Sequence, residues 1–327
     1  MARRENNANF SSLLRKIKSK PLERELGFGK NVALDNRLMN PDGSFNVIRE
    51  SLSPWDNIYY HLISMSWPRF LWIIFCFFLL LNVLFSLFYL GIGVDQFNGV
   101  TPGTWSQNFM QAFFFSSQTL TTVGYGHISP NGLITSILAS VESFCGLLAF
   151  ALMTGLSYGR FSRPSARIKF SEQMLVAPYQ GGSGLMFRMA NTSRSELIET
   201  EVQVLMAINQ REENGELSRK FYPLALEISK ISFFSLSWTV VHALNDQSPI
   251  QHFNAQDLVD GHAEIMVLVK GIDEASQQLV HTRRSFIATD IVWNARFSPI
   301  IDHSPGGVPK LITKKIGKHD LLEMQAE

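Results

Sequence analysis

The chain has 327 residues, enough for about two domains. Its 29 Lys and Arg balance 28 Asp and Glu, and the resulting net charge of +1 excludes the strongly basic surface of a nucleic-acid-binding protein. Charged residues make up only 17% of the chain, against about 25% in soluble domains. This composition indicates a membrane protein.

The N-terminal part of the chain precedes the apolar region. Residues 1–52 are polar and lack an apolar run, so they predict a cytoplasmic segment rather than a signal peptide. Residues 53–66 predict a helix that lies along the inner membrane surface, because Ser53 and Pro54 are a favourable N-cap and first helical residue. Its apolar residues recur every three or four positions: Trp55, Ile58, Tyr59, Leu62 and Ile63. A short soluble helix packed on the cytoplasmic domain is the alternative.

The middle of the chain predicts two membrane spans. The 24 residues of 71–94 carry no charge and form about 36 Å of helix, enough to cross a hydrocarbon core of about 30 Å. We therefore predict an outer helix over 67–94, an inner helix over 133–160 and a short pore helix with an apolar face over 106–118.

The distribution of basic residues predicts the topology. Lys and Arg precede the first span and resume at Arg160, but none lies between the two spans. Positive residues favour the inner side of a membrane, so we expect a plasma-membrane (inner-membrane) protein with both termini in the cytoplasm.

The residues after Pro164 predict a second domain. Over 164–302, short runs rich in β-branched and aromatic residues alternate with turn-forming segments, which favours an antiparallel, immunoglobulin-like β-sandwich. The predicted strands are 185–190, 197–208, 221–228, 233–244, 263–272 and 285–293. Residues 303–327 have little apolar content and predict a loose C-terminal tail. The fold class is thus an α+β membrane protein.

The segment between the two spans contains the motif Thr121-Thr122-Val123-Gly124-Tyr125-Gly126. A permeating potassium ion exchanges its water shell for backbone carbonyls, provided that successive carbonyls point at one axis. Gly124 and Gly126 permit the left-handed conformations that this requires. One chain supplies one such segment and a ring of carbonyls needs four, so we expect a homotetramer that binds K⁺ at the carbonyls of residues 122–126 and needs no other cofactor.

Residues Thr121 to Gly126 are the potassium-channel signature, and the two-span chain with its β-rich domain resembles the inward-rectifier potassium channel family, most closely its bacterial branch. The resemblance extends from Leu34 to Ile300. Its other similar segments are 36–47, which looks like the family's N-terminal strand, 67–69, 188–191, 241–249 and 291–293. It implies passive, voltage-independent K⁺ conduction, gated at the inner helices and by the cytoplasmic domain.

The resemblance also assigns roles in the membrane region. Glu142 is costly in a membrane helix unless it has a partner or water, and the resemblance places it behind the filter as a brace rather than as a lining of the cavity. Phe150 stands where strongly rectifying relatives carry an acid that attracts polyamines. Tyr158 matches the residue that constricts the inner helices, although an interfacial aromatic anchor is the alternative.

The resemblance assigns further roles in the β domain. Glu199 aligns with an acid that faces the cytoplasmic pore, and Gly271 and Ile272 begin the stretch that resembles a second constriction. Lys270 departs from the family's usual Glu. Because a lysine ring repels cations, we expect weak rectification.

A group of basic residues near the inner membrane face has two interpretations. The resemblance implies a site for anionic phospholipids, whereas positive-inside topology alone is the alternative. The group consists of Arg69, Arg160, Arg163, Arg167 and Lys169.

Two other functions were weighed against that of an inward-rectifier channel. A potassium channel with a nucleotide- or calcium-sensing Rossmann domain needs a G-x-G-x-x-G turn after Gly159, and none is present. A membrane-anchored β-sandwich enzyme or binding module needs a motif such as H-E-x-x-H or G-x-S-x-G, which is also missing. We therefore expect a channel and not an enzyme.

Overall fold

A computed structural model of the chain describes residues 21, 37–47, 58–162, 166–211, 216–303 and 309–322. It contains two compact units. The pore unit is Glu50–Arg163, and the β domain consists of Met1–Arg49 together with Pro164–Glu327.

Four helices form the pore unit. They are α1 (Ile58–Ser64), α2 (Trp67–Ile92), α3 (Trp105–Leu120) and α4 (Leu133–Phe161). Helices α2 and α4 are long and apolar enough to cross a membrane, with mean hydropathy of 2.6 and 1.8. Their bounds differ from the predicted outer and inner helices by at most two residues, and both membrane-spanning helices are thus confirmed.

The ends of these helices follow from local sequence. Helix α1 ends at Ser64, two residues before the predicted end at 66. It stops there because Ser66 is already the N-cap of α2, and Pro68 lies in the first turn of α2. Its predicted start, with Ser53 and Pro54, lies outside the described residues. Helix α3 begins one residue earlier than predicted because Thr104 and Gln107 form a capping box. A two-residue ribbon joins the loops on either side of α3, with β1 (Phe97–Asn98) paired to β2 (Ser129–Pro130).

Two five-stranded sheets form the β domain. The first has the order β11-β10-β6-β7, with β8 also paired to β6, and the second has the order β12-β4-β5-β3, with β9 also paired to β5. The strands of the first sheet are β6 (Leu197–Arg211), β7 (Leu217–Pro223), β8 (Lys230–Phe234), β10 (Glu264–Asp273) and β11 (Gln278–Ile287). Those of the second are β3 (Ile168–Phe170), β4 (Met174–Tyr179), β5 (Gly182–Asn191), β9 (Ser237–Ala243) and β12 (Ile291–Trp293).

The core lies between the two sheets. Alternate residues of each strand point into it, for example Leu185, Phe187 and Met189 from one sheet and Val202 and Val204 from the other. The β-sandwich is therefore confirmed. The pairing is antiparallel except between β12 and β4, which run parallel, and a short helix α5 (Ala255–Asp260) was not predicted.

Several predicted strands were wrong in their limits. The run 221–228 ends as a strand at Pro223, since proline has no backbone N–H to donate to a ladder. The run 233–244 is two strands, β8 and β9, with a turn between them. The run 285–293 is also divided, because Asp290 accepts a hydrogen bond from the Ile287 amide at 2.9 Å and closes a turn between β11 and β12.

Residues 303–327 were predicted as a loose tail, and this prediction is wrong for the described residues 309–322. Strand β16 (His319–Leu321) pairs with β13 (Ala295–Phe297), and β15 (Pro309–Leu311) pairs with β14 (Ile301–His303). One buried residue, Ile316, fixes the turn between β15 and β16 with 3% of its surface exposed. A single apolar anchor and short pairings are too weak a sequence pattern to be recognised.

The predicted N-terminal strand is instead a tight turn bound to the first sheet. Met39 and Phe45 form an isolated bridge around Gly43, whose φ is 83°. The backbone N–H groups of Leu38 and Met39 donate to the two carboxylate oxygens of Glu264, at 2.7 and 2.9 Å. Glu264 is 1% exposed, and it also forms an ion pair of 3.0 Å with the buried Arg219. This carboxylate therefore fastens the N-terminal segment to β10.

Replacing Glu264 by Gln is expected to destabilise the β domain by about 3 kcal/mol, because it removes the negative charge that pairs with the Arg219 guanidinium and one of the two acceptors of the Leu38 and Met39 amides. For a domain of this size, we expect the melting temperature of the purified channel to fall by roughly 10 °C. Glu274→Gln, an exposed carboxylate just after β10, is the control. Equal melting temperatures for both variants would contradict this role of Glu264.

Candidate functional site

The filter segment follows directly from the C-terminus of the pore helix α3. The carbonyl oxygen of Gln118 accepts hydrogen bonds from the amides of Val123 and Gly124, at 2.9 and 3.4 Å. The Thr122 amide donates to the Thr119 carbonyl at 3.1 Å. The last turn of α3 therefore fixes where residues 122–126 begin.

The backbone of the filter segment alternates in conformation. Thr122, Gly124 and Gly126 have φ of 57°, 55° and 84°, whereas Val123 and Tyr125 are not among the residues with positive φ. In an ordinary strand successive carbonyls point to opposite sides, and a φ that alternates in sign can keep them on one side. Thr122 adopts a conformation that is uncommon for a residue with a branched side chain, and such positions cluster at functional sites.

A buried polar network joins three helices of the pore unit around Glu142, the predicted brace of the filter. Glu142 of α4 is fully buried and accepts a hydrogen bond of 2.5 Å from the Tyr89 hydroxyl of α2. Its other carboxylate oxygen is bonded to the Ser116 hydroxyl of α3, which also lies 3.2 Å from Asn82 Oδ1. All four side chains are shielded from solvent. Tyr89, Ser116 and Asn82 were not identified from the sequence, because only the helix packing brings them to Glu142.

Replacing Glu142 by Gln is expected to weaken this network, since the amide nitrogen of Gln cannot accept either hydroxyl proton. A buried donor that loses its acceptor costs about 1–3 kcal/mol, so we expect a lower K⁺/Na⁺ permeability ratio in reconstituted bilayers. Ser140→Ala is the control, because among the described residues the Ser140 hydroxyl bonds within its own helix, to the Ser136 carbonyl. An unchanged permeability ratio and an unchanged melting temperature would exclude Glu142 as a brace.

The inner helix α4 comes close to the pore helix α3 at one glycine. A Cβ atom on Gly146 of α4 would lie 2.1 Å from the carbonyl oxygen of Leu120, the last residue of α3. The two backbones are therefore in direct contact at this point. The sequence showed only that small residues recur along this helix, not which of them meets α3.

The two predicted gate residues lie further along α4. Phe150 and Tyr158 are both 73% exposed in the single chain. They are eight residues apart, which is about 12 Å along a helix. Both side chains are thus available to face a neighbouring copy or a pore.

The predicted lipid-binding residues divide between the two units. Arg69 and Arg160 belong to the pore unit, Arg167 and Lys169 belong to the β domain, and Arg163 lies outside the described residues. Arg160 is engaged within the protein: its guanidinium donates to the carbonyls of Leu62 and Met65, the latter at 2.6 Å. It also lies 4.7 and 4.4 Å from the ring centres of Trp67 and Phe70. Arg160 therefore joins α1 and α2 to the end of α4.

The predicted cytoplasmic pore residues meet at a β-bulge. Glu199 has a φ of 52°, and the register between β6 and β10 shifts by one residue between Lys270 and Ile272. Thr200 lies against Gly271, where a Cβ would come within 3.0 Å of the Thr200 hydroxyl oxygen. Strand pairing thus brings Glu199, Gly271 and Ile272 together.

Opposite charges neutralise this region. Glu199 forms an ion pair with Lys230 of β8, which raises the pKa of the Lys230 ammonium. Lys270 is paired in register with Glu201 of β6. Lys230 and Glu201 were missed at the sequence level, because their positions depend on strand register.

Comparisons with known proteins agree with this architecture. A family model described as an ion channel matches residues 70–161, and one described as the inward rectifier potassium channel C-terminal domain matches residues 168–315. The inward rectifier potassium channel Kirbac3.1 of Paramagnetospirillum magnetotacticum is 37% identical over 274 residues, which cover 83% of this chain and 91% of that protein. The G protein-activated inward rectifier potassium channel 2 of Mus musculus is 27% identical over 299 residues, 83% of this chain and 68% of that protein. The chain therefore belongs to the inward-rectifier potassium channel family, and it is a potassium channel with two membrane-crossing helices and a β-sandwich domain.

Proposed function

We propose that four copies of the chain surround one axis and conduct K⁺ passively through the backbone carbonyls of Thr122, Val123, Gly124, Tyr125 and Gly126. The observation that carries this proposal is the alternation of positive φ at residues 122, 124 and 126. A ring of carbonyls around an ion needs several identical segments, and each chain has one. Conduction down a gradient needs no covalent step and no cofactor other than the permeant ion.

The selectivity of the reconstituted channel tests this proposal. We expect the reversal potential in planar bilayers to follow the K⁺ gradient and to ignore the Na⁺ gradient. Gly124→Ala places a side chain at a φ of 55° and is expected to remove this selectivity. A wild-type reversal potential that follows Na⁺ equally would refute the assignment of the filter.

The proposed topology places both termini and the β domain in the cytoplasm. The basis is the distribution of basic residues, which flank α2 and α4 and are missing from the loop between these helices. Cysteine labelling of intact cells distinguishes the two orientations: a Cys introduced at Thr101 is expected to react with a membrane-impermeant reagent, and one introduced at Lys310 is not. The opposite pattern would reverse the topology.

Block by spermine is expected to be weak. Lys230 offsets the charge of Glu199, and Phe150 offers no carboxylate in the inner helix, so neither of these two positions supplies an unpaired acid that would attract a polyamine. We expect outward current to persist at micromolar spermine, and Phe150→Asp to introduce voltage-dependent block. Steep block of the wild-type channel would contradict the assignment.

The exposed basic residues Arg69, Arg167 and Lys169 support modulation by anionic phospholipids. Arg160 contributes by holding α1 against α4, because its guanidinium is already bound to backbone carbonyls. The test compares ion flux in vesicles with and without phosphoinositide. Flux that is independent of the headgroup would leave positive-inside topology as the sole role of these residues.

A further inference from the structure

The short ribbon of β1 and β2 binds the segment that follows the filter. The two strands are antiparallel, with Phe97 opposite Pro130. At the end of the ribbon, the Asn131 amide donates a hydrogen bond of 2.9 Å to the Gln96 carbonyl. Strand β2 begins three residues after Gly126, the last residue of the filter motif. The ribbon is therefore the first regular element that the chain forms after the filter.

The end of the filter contacts this region at one glycine. Gly99 directly follows β1, and a Cβ atom at this position would lie 1.7 Å from the carbonyl oxygen of His127. His127 is the residue next to Gly126. Gly99 has a φ of 80°, a conformation that residues with a side chain rarely adopt. Only glycine therefore permits this contact between the two backbones.

Before Gly99, the chain is anchored in the core of the pore unit by Phe97. The Phe97 side chain is 8% exposed, and its ring centre lies 5.3 Å from that of Tyr89 in α2 and 5.1 Å from that of Phe115 in α3. Ile128, which precedes β2, belongs to the same apolar cluster and is also 8% exposed. Both sides of the ribbon are thus attached to one cluster that packs on α2 and α3.

After Gly99, the chain is bound to the pore helix α3. The Thr101 amide donates to the side-chain oxygen of Gln111 at 3.1 Å, and the side-chain nitrogen of Gln111 donates to the Thr101 carbonyl at 2.9 Å. Gly103 forms a similar reciprocal pair with the Asn108 side chain, at 3.0 and 3.2 Å. The backbone at Gly99 is therefore fixed from both directions, and it cannot withdraw from the filter without the loss of these contacts.

The ribbon and the buried polar network share one residue. Tyr89 packs on the ring of Phe97, and its hydroxyl donates to Glu142. Glu142 is bonded to Ser116, which lies two residues before Gln118 in α3. The carbonyl that accepts the first filter amides is thus connected through Tyr89 to the ribbon at the other end of the filter.

We propose that Gly99 is a positioning residue of the filter. It fixes the His127 carbonyl and thereby the last carbonyls that bind K⁺, those of Tyr125 and Gly126. This inference rests on the proposed conduction through residues 122–126. A side chain at position 99 would push the His127 carbonyl away, because the backbone on both sides of Gly99 is fixed. The adjoining carbonyls would then leave the positions in which they replace the water shell of the ion.

The test is the K⁺ conductance of Gly99→Ala in planar bilayers, with K⁺ first low and then high on both sides. We expect the conductance at low K⁺ to be about fivefold or more below that of the wild type, because the new Cβ overpacks a fixed contact. Bound K⁺ favours the arrangement that binds it, so high K⁺ is expected to restore most of the lost conductance. A general folding defect would instead lower the amount of channel, and K⁺ would not reverse it.

Two further variants make the result specific. A Cβ atom on Gly91, near the end of α2, would meet no atom of the described residues within 4 Å, so Gly91→Ala is expected to conduct like the wild type at both concentrations. Gln111→Ala releases the chain after Gly99 without placing an atom at the contact. We expect it to cause the same K⁺-dependent loss at a smaller size, about twofold to threefold, and it decides the question if Gly99→Ala does not enter the bilayer.

Two results overturn the inference. One is equal conductance of Gly99→Ala and Gly91→Ala at low K⁺, and the other is a loss that high K⁺ reduces in neither Gly99→Ala nor Gln111→Ala. The wild-type channel tests the proposed pore separately. If the wild type does not select K⁺ over Na⁺, the assignment of the filter fails, whereas a selective wild type with an unaffected Gly99→Ala refutes only the role of Gly99.

Discussion

Replacing Gly146 by Ala is expected to reduce K⁺-selective flux by about fivefold or more while leaving the chain in the membrane. The new Cβ would lie 2.1 Å from the Leu120 carbonyl oxygen, and this atom belongs to the backbone that leads directly into Thr121. Neither the new Cβ atom nor the backbone carbonyl of Leu120 can rotate away from the contact. Helices α4 and α3 must therefore separate, and the filter must shift. Overpacking of this kind costs about 1–3 kcal/mol, or about fivefold to 150-fold in the equilibrium constant between the native and the displaced arrangement.

The same helix supplies a matched control. A Cβ atom on Gly155 of α4 would meet no atom within 4 Å, and alanine favours a helix over glycine. Gly155→Ala is therefore expected to keep wild-type flux and selectivity. The test is to reconstitute equal amounts of both variants and to compare their ⁸⁶Rb⁺ uptake with that of the wild type. Wild-type uptake by Gly146→Ala would show that the close contact does not support the filter.

Replacing Tyr158 by Ala is expected to raise the resting flux severalfold. In a tetramer, four bulky side chains at the C-terminal end of the inner helices would form a narrow apolar neck, and such a neck resists ions by excluding water. Because Tyr158 is 73% exposed in the single chain, its truncation leaves no cavity inside the subunit. Single-channel open probability is the measurement.

Tyr158→Phe keeps the bulk of the ring and removes only the hydroxyl, so it is expected to retain the closed gate. If Tyr158 is instead an interfacial anchor, Tyr158→Ala lowers the amount of channel in the membrane, and its open probability equals that of the wild type. That outcome would exclude Tyr158 as the gate residue.

The membrane helices and the glycine conformations of residues 124 and 126 were predictable because their signals are local. An uncharged run long enough to cross a bilayer defines α2 and α4, and residues 121–126 form a motif whose glycines have a direct geometric purpose. The pore helix required only an apolar face, and the capping box at Thr104 would have given its first residue. In each case neighbouring residues are sufficient to specify the structure.

The contacts that support the site were not predictable, because they join residues far apart in the chain. Tyr89 and Ser116 meet Glu142 only through helix packing, and Lys230 meets Glu199 only through the register of β8 on β6. Glu264 is a polar residue at the start of a strand, and nothing in the sequence marks it as the acceptor for the N-terminal turn. The C-terminal turn was misjudged for the same reason, since its stability comes from pairing with β13.

We propose that this chain forms a potassium-selective pore through residues 122–126. The most direct measurement is ⁸⁶Rb⁺ uptake into liposomes that contain the purified protein, with Ba²⁺ as a blocker and Na⁺ as the competing ion. We predict uptake that Ba²⁺ abolishes and that excess external Na⁺ does not reduce. Uptake that is insensitive to Ba²⁺, or that Na⁺ suppresses as effectively as K⁺ does, would contradict the claim. If the wild-type channel is closed at rest, the same assay on Tyr158→Ala must show the Ba²⁺-sensitive uptake.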